Sequence, residues 1–336
     1  MNEDTQAVPL PWQRDDWQRL RSLGDEGRLP HALLLAGAPG LGKGHFAELI
    51  AAWLLCERPG EVPDGHVACG HCHGCSMRMS GYHPDLLRIP APESGRLVRI
   101  DTIRSINDFL TQTAQQGGYR VVRVDGVDSM TIGAANALLK SLEEPGQKTV
   151  FVLVSDMPSR IMPTILSRCQ KFSFTPPTFD ECQEWLGRHF SDQDEAAFWW
   201  RVAAGMPLAA VAQGSAEARK LRQQLTETFD ALVRGGDPVS EAARLDRQQL
   251  GRILDYGIGW LEDLVRLGLS GEGSTLKNTD MLPLYQQGVK NARVRDWFRL
   301  LDYAREQRRF IAQGNNPNPQ LVLEAWLIRW AALLRS

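Results

Sequence analysis

Gly37-Ala38-Pro39-Gly40-Leu41-Gly42-Lys43-Gly44 follows the apolar run Ala32-Leu33-Leu34-Leu35-Ala36 and precedes the helix-forming stretch Phe46 to Leu55. A strand, a glycine-rich turn ending in lysine, and a helix is the order in which backbone N–H groups converge on a phosphate at a helix N-terminus. The candidate phosphate-contacting residues are therefore Gly37, Gly40, Gly42, Lys43 and Gly44. The last of these departs from the pattern. The position after the lysine ordinarily carries Ser or Thr, whose hydroxyl ligates magnesium, and glycine has none. Two readings stay open at this point: a nucleotide site with impaired metal binding, or an inherited turn that meets no nucleotide. Both predict the same fold.

Outward from the loop, strands alternate with helices. Trp17 to Leu23 reads as a helix, Leu86 to Ile89 as a strand, and Ile100 to Ala114 as a helix with apolar positions at Ile103, Ile106, Phe109 and Leu110. The β-branched run Arg120 to Val124 is bounded by Gly118 and Gly126, Ala134 to Glu144 is helix-forming and stops at Pro145, and Thr149 to Val154 is another short apolar strand. Alternation of this kind predicts an α/β domain over residues 1–174, because parallel strands need crossover connections and helices then cover both sheet faces. Thr175-Pro176-Pro177-Thr178 reads as a linker. Beyond it the pattern is helical: a small subdomain over 175–213, then a bundle over 214–336 with apolar positions at Leu250, Ile253, Leu254 and Ile258. Gly271 to Thr279 is polar and predicts an interhelical loop. Leu323, Trp326, Leu327 and Trp330 share one helical face that suits an intrachain core or a subunit interface equally.

Strand Val121 to Val124 ends in Asp125, the position expected for a second magnesium-side carboxylate. The next residue, Gly126, offers no group to orient or deprotonate an attacking water. Asp128 and Glu143 are nearby carboxylates, read as solvated rather than as substitute bases.

Four of the six cysteines lie between Cys56 and Cys75. Cys69-x-x-Cys72-x-x-Cys75 with Cys56 supplies the four thiolates of a closed metal site, tetrahedral zinc or an iron–sulfur cluster. His66, His71 and His73 are interspersed and rank as solvated or supporting groups. Cys169 and Cys182 read as small core residues. With 336 residues, 43% hydrophobic and 23% charged, the chain predicts two or three soluble domains. No apolar run reaches the ~20 residues of a membrane span, and the polar acidic start lacks secretory-signal character, so a cytoplasmic location is expected. A formal net charge of -2 argues against a protein that coats DNA unaided.

Asn136-Ala-Leu-Leu-Lys-Ser-Leu-Glu-Glu-Pro145, Pro163-Thr-Ile-Leu-Ser-Arg-Cys169, the His83-Pro84-Asp85 segment, the glycine loop and the four-cysteine insertion together resemble the bacterial DNA polymerase III clamp loader family. The resemblance spans most of residues 28–174. It implies an AAA+-type domain over 1–174 with a zinc module at 56–75, a lid over 175–213, and an oligomerising collar over 214–336, the collar being carried by the weaker match at Asn316 to Glu324. It also implies structural Zn2+ on Cys56, Cys69, Cys72 and Cys75, and a role for Arg168 as an arginine finger reaching a neighbouring subunit's ATP. In ATP-hydrolysing relatives a lid arginine reaches the nucleotide in cis; the Gly205-Met206-Pro207-Leu208 stretch places leucine there.

Losses at Gly44, Gly126 and Leu208 fall on this chain's own nucleotide side, whereas Arg168 is retained. The implied function is a noncatalytic subunit of the holoenzyme without ATPase activity of its own, in a hetero-oligomer with gamma/tau-type and delta-type subunits. Through that complex it would act on the sliding clamp and primer-template DNA. Two other readings compete: an active ATPase of the same family, relying on Lys43 and Asp125, and a zinc-dependent DNA-binding module using Arg78, Arg88, Arg96 and Arg99.

Overall fold

A computed structural model describes residues 8–58, 65–92, 96–116, 118–271 and 276–335. Two compact units emerge. One gathers the described residues of 8–92 and 97–185 with Met206–Leu208; the other gathers Arg96, Leu186–Gly205 and the described residues from Ala209 onward.

The first unit is a five-stranded parallel sheet of β1 (Ala32–Ala36), β2 (Leu86–Ile89), β3 (Arg120–Asp125), β4 (Thr149–Ser155) and β5 (Gln170–Ser173), in the order β2-β3-β4-β1-β5. Every pairing is parallel. The two central strands, β1 and β4, are buried along their whole length, as continuous apolar runs covered on both faces should be. Alternate residues divide between two cores: Leu33, Leu35, Val121, Val150, Val152 and Phe172 on one face, Ala32, Leu34, Val122, Val124, Phe151 and Leu153 on the other. The first face packs against α1 (Arg14–Asp25) and α2 (Lys43–Leu54), which supply Trp17, Leu20, Phe46 and Ile50. The second is covered by α4 (Ile100–Thr111) and α5 (Ile132–Glu143); α3 (His73–Ser80) lies between α2 and α4 in the chain.

The predicted strands match closely, while helix ends differ. α2 begins at Lys43 rather than Phe46, because Gly42 takes the left-handed conformation (φ 85) at the N-cap and the lysine already has helical geometry. α4 stops at Thr111 instead of Ala114, where Gln112 turns extended. β5 was not predicted. Only Phe172 of Gln-Lys-Phe-Ser is buried, as befits an edge strand with no apolar run to announce it.

Residues 174–178 have no regular structure, and the first unit continues past them to Trp185. In the second unit, α6 (Ala216–Val233), α7 (Leu250–Ser270), α8 (Leu282–Asn291), α9 (Val294–Ala312) and α10 (Pro319–Leu334) pack around one core. Leu323, Trp326, Leu327 and Trp330 are all fully buried there, packed with Phe229, Trp260 and Trp297, so their shared face serves the intrachain core. α7 ends at Gly271 in a left-handed cap (φ 66); residues 272–275 of the predicted loop lie outside the described residues, and Thr279–Met281 forms a turn of 3₁₀ helix.

Candidate functional site

β1 delivers the chain into the glycine loop, whose Gly40 and Gly42 take φ 87 and 85, a region that residues with a Cβ enter only at a cost. Space enforces the same choice at Gly42: a Cβ would lie 2.6 Å from Gln13 Nε2 and 2.8 Å from Leu10 Cδ1. The buried Gln13 amide donates to the carbonyls of Gly42 (2.8 Å) and Leu41 (3.3 Å), and Trp12 Nε1 donates to Leu41 O at 3.0 Å. From the far side of the loop, the Leu208 backbone N–H donates to Gly40 O at 3.1 Å. The loop is thus tied down by the chain's own donors.

Lys43 is 4% exposed and bound at both available acceptors: its Nζ donates to Ala38 O at 2.6 Å and sits 2.7 Å from Asp156 Oδ1, just past the end of β4. Asp125 is likewise occupied. Arg123 and Asp125 lie two residues apart and so share a sheet face; Arg123 Nε donates to Oδ1 at 3.0 Å and Nη2 lies 2.9 Å from Oδ2. The third nitrogen, Nη1, reaches Glu48 Oε2 on α2 at 3.3 Å. Arg78 (2.6 Å) and Arg88 (2.8 Å) both bind Glu48 Oε1. Burial alone would raise the Glu48 carboxyl, but Arg88 and Arg78 outweigh it and hold the group below its ordinary value. The role of Arg123, and the convergence on Glu48 of Arg78 and Arg88, which the sequence offered only as DNA-binding candidates, escaped the sequence reading. Their only signal was an arginine inside an apolar strand, two residues before Asp125.

Gly126 has φ 70, and a Cβ there would meet Pro92 at 3.2 Å and Ala91 at 3.4 Å. The chain at this point is shaped for glycine, so the position offers no room for a water-orienting carboxylate without rearrangement. Asp128 accepts from the Asp156 N–H at 3.2 Å. Glu143 pairs with Arg168: Nη2 lies 2.6 Å from Glu143 Oε1, and Nη1 donates to Thr164 O at 3.0 Å. Both side chains of that pair are exposed in good part, 37% for Arg168 and 52% for Glu143.

The four cysteines Cys56, Cys69, Cys72 and Cys75 converge, with one ligand atom each and all within 4.8 Å of one another. Cys69 and Cys75 sulfurs are 3.9 Å apart, close to the about 3.8 Å that a tetrahedron with 2.3 Å Zn–S bonds requires. The donor set therefore fits a tetrahedral metal ion. Backbone N–H groups point at two of the sulfurs, Cys69 N to Cys56 Sγ (3.4 Å) and Cys75 N to Cys72 Sγ (3.3 Å), the latter capping α3. Burial raises the Cys69 thiol, but the His71 and Cys72 backbone N–H groups outweigh it and bring it down to about 6, whereas burial and the neighbouring Cys72 push Cys75 well up. One thiolate is thus readily formed, while Cys56 and Cys75, both raised chiefly by burial, would ionise more easily with a cation beside them. His66, His71 and His73 are exposed and stand outside the cluster, and the His71 ring faces its own turn at Cys69 O (2.9 Å).

The basic residues behind the DNA-binding reading are committed elsewhere in part, since Arg78 is buried and, with Arg88, is spent on Glu48. His83 and Asp85, from the segment between α3 and β2, are structural: Asp85 accepts from the Gln115 and Gln116 N–H groups, both at 2.9 Å. Among the described residues no helix is long and apolar enough to cross a membrane.

Residues 12–178 match the family model described as DNA polymerase III, delta subunit, and residues 216–332 the model of its C-terminal part. Over 329 residues the chain is 35% identical to DNA polymerase III subunit delta' of Pseudomonas aeruginosa, covering 96% of this chain and 97% of that protein. It is 36% identical to DNA polymerase III subunit delta' of Escherichia coli over 241 residues, 71% of each chain. Among solved structures, a DNA polymerase III gamma subunit-related protein from Thermotoga maritima superposes with a TM-score of 0.50 at 19% identity, covering 94% of this chain and 99% of that one, a likeness of fold.

Proposed function

The chain belongs to the DNA polymerase III subunit delta' family, and from that membership we propose that it acts as a noncatalytic clamp loader subunit. In this reading it assembles with ATP-hydrolysing gamma/tau-type and delta-type subunits, helps load the sliding clamp on primer-template DNA, and hydrolyses no ATP itself. Residues 1–174, 175–213 and 214–336 would serve as AAA+-type domain, lid and oligomerising collar.

One observation carries the reading. Lys43, the ammonium on which a bound terminal phosphate would depend, is buried and neutralised by Asp156, while Arg168 stands at the surface, paired among the described residues with the exposed Glu143. A planar guanidinium so placed can leave its carboxylate and stabilise charge on the phosphoryl oxygens of a neighbour's ATP. The donor set of Cys56, Cys69, Cys72 and Cys75 supports structural Zn2+, which would staple an insertion too small for a core of its own. A closed four-thiolate shell leaves no position for a substrate.

The test uses the reconstituted complex. Arg168→Ala should leave the melting of the isolated chain unchanged within about 1 kcal/mol, yet lower DNA-stimulated ATPase of the complex by roughly tenfold or more at the site it completes. Undiminished turnover would remove Arg168 from the role. ATP hydrolysis by the purified chain alone would overturn the noncatalytic reading itself.

A further inference from the structure

In loops of this type, magnesium is held between the hydroxyl after the lysine and the carboxylate at the end of the neighbouring strand. Here those two positions are Gly44 and Asp125, and the group between them is the guanidinium of Arg123. Its Nη2 lies 3.1 Å from where a Cβ on residue 44 would be, and 2.9 Å from Asp125 Oδ2. Its Nε takes the other Asp125 oxygen at 3.0 Å, which makes the pair bidentate. We infer that Arg123 is the resident cation of this loop: it stands in for the divalent metal, and it, rather than the missing hydroxyl alone, keeps metal out.

The chemistry follows from three properties. An arginine in a protein cannot be deprotonated, so its charge is permanent. Its environment holds it in place, since Arg123 is 17% exposed and its remaining nitrogen is aimed at Glu48. A magnesium ion bonding Asp125 would need an oxygen at about 2.1 Å, on the same carboxylate whose two oxygens the guanidinium already occupies, with like charges then in contact. Metal entry therefore requires Arg123 to leave both Asp125 and Glu48.

Charge balance around the loop points the same way. Asp125 has Arg123, Asp156 has Lys43, and Glu48 has Arg78, Arg88 and Arg123. Each of these three carboxylates is neutralised from within the chain. The loop is electrostatically complete without nucleotide or metal, and can serve as a rigid part of the unit in every state of an assembly.

This inference rests on the noncatalytic reading but is tested separately, on the zinc-loaded full-length chain with Mn2+ alone as probe, followed by electron paramagnetic resonance and by thermal melting. Three proteins are compared: wild type, Gly44→Ser, and Gly44→Ser with Arg123→Met. Serine at 44 restores the hydroxyl at the cost of a contact that Arg123 must relieve slightly. With Arg123 in place, neither wild type nor Gly44→Ser should gain a saturable Mn2+ site. The double variant should bind Mn2+ roughly tenfold tighter or more and melt higher as Mn2+ is added, and adding Asp125→Asn should abolish the gain. Mn2+ bound by Gly44→Ser as tightly as by the double variant overturns the proposal, as does a folded double variant that gains nothing. If the double variant fails to fold, Gly44→Ser with Arg123→Gln takes its place under the same criteria, and a saturable Mn2+ site in Gly44→Ser itself overturns the proposal. ATP turnover by wild type would strike the noncatalytic reading, whereas metal binding by Gly44→Ser without turnover strikes only the resident cation.

Discussion

Two places in the α/β unit are suited to a cation, and they are finished in opposite ways. The cysteine cluster brings four sulfurs within 4.8 Å of one another, and no cationic side chain is aimed among them in the contacts described above. The phosphate loop brings Asp125, Glu48 and Asp156 to one side of the sheet, and Arg123, Arg78, Arg88 and Lys43 come with them. The first is a donor set that could take an ion from solution; the second carries its positive charge in the polypeptide. The two are joined by Arg78, which stands on α3, the helix capped by Cys72, and is bonded to Glu48 on α2. A dependence on metal at one place and independence at the other is what the comparison predicts.

The largest effect should come from emptying the cysteine site. Stripping any bound metal ion with a strong chelator, or replacing Cys72 by serine, should leave buried thiols with no common partner and free the start of α3. Structural zinc contributes ~10 kcal/mol or more in small zinc-finger peptides. In this unit the sheet has its own core, so a smaller loss is expected, with Tm lower by roughly 10 °C. Hydrogen exchange should show the loss of protection concentrated in residues 65–80. Stability indifferent to chelation, with zinc shown to be gone, would break the comparison, because both sites would then be self-sufficient.

Next in size is the link itself. Arg78 is 5% exposed overall and its partner Glu48 is largely buried, so Arg78→Met removes one arm of a buried ion cluster. Breaking such a pair outright costs ~3–5 kcal/mol. Glu48 keeps Arg88 and Arg123, so a loss of about 2 kcal/mol is expected by denaturant titration, against about 1 kcal/mol or less for Arg88→Met, whose side chain is 32% exposed. The cluster also sets a pH dependence. Glu48 titrates below its ordinary 4.5 because its arginines outweigh its burial, so the folded state favours the ionised form more than the unfolded chain does. That stability is fully present above about pH 4.5 and is lost as pH falls through the folded-state value. Glu48→Gln should be less stable at neutral pH and lose less of its stability on acidification below pH 4.5.

The sequence made the α/β order legible because its strands are short apolar runs between glycines, and a buried parallel strand has few other ways to be written. The same is true of Cys56, Cys69, Cys72 and Cys75, where spacing alone nearly determines convergence. It was blind to β5, whose only buried residue is Phe172, and to α3, a short helix begun by the cap that Cys72 Sγ provides rather than by periodicity. The losses at Gly44 and Gly126 could be read as absences. What fills their place could not, because Arg123 meets Glu48 across 75 positions of sequence, and only folding shows that an arginine in an apolar strand faces α2 and not solvent. Lys43 shows the same limit: its position marked it as a phosphate ligand, and its partner Asp156 lies at the end of another strand.

The smallest effect on stability, and the one that sharpens the comparison between buried and exposed arginines, concerns Glu143. Arg123 and Arg168 each hold a carboxylate, but Arg123 is 17% exposed and bidentate, while Arg168 and Glu143 are 37% and 52% exposed. An exposed pair contributes ~0–1 kcal/mol, so Glu143→Gln should change the melting of the isolated chain by less than about 1 kcal/mol. Its consequence would appear only in the complex. If Arg168 must leave Glu143 to reach a neighbour's ATP, removing the negative charge makes that departure easier. ATPase of the reconstituted complex should then rise or hold, at most about fivefold for a pair worth ~1 kcal/mol, and the effect should vanish in an Arg168→Ala background. A fall in turnover that Arg168→Ala does not mask would assign Glu143 a contact of its own across the subunit boundary, and the exposed pair would then be part of the interface rather than the resting place of its arginine.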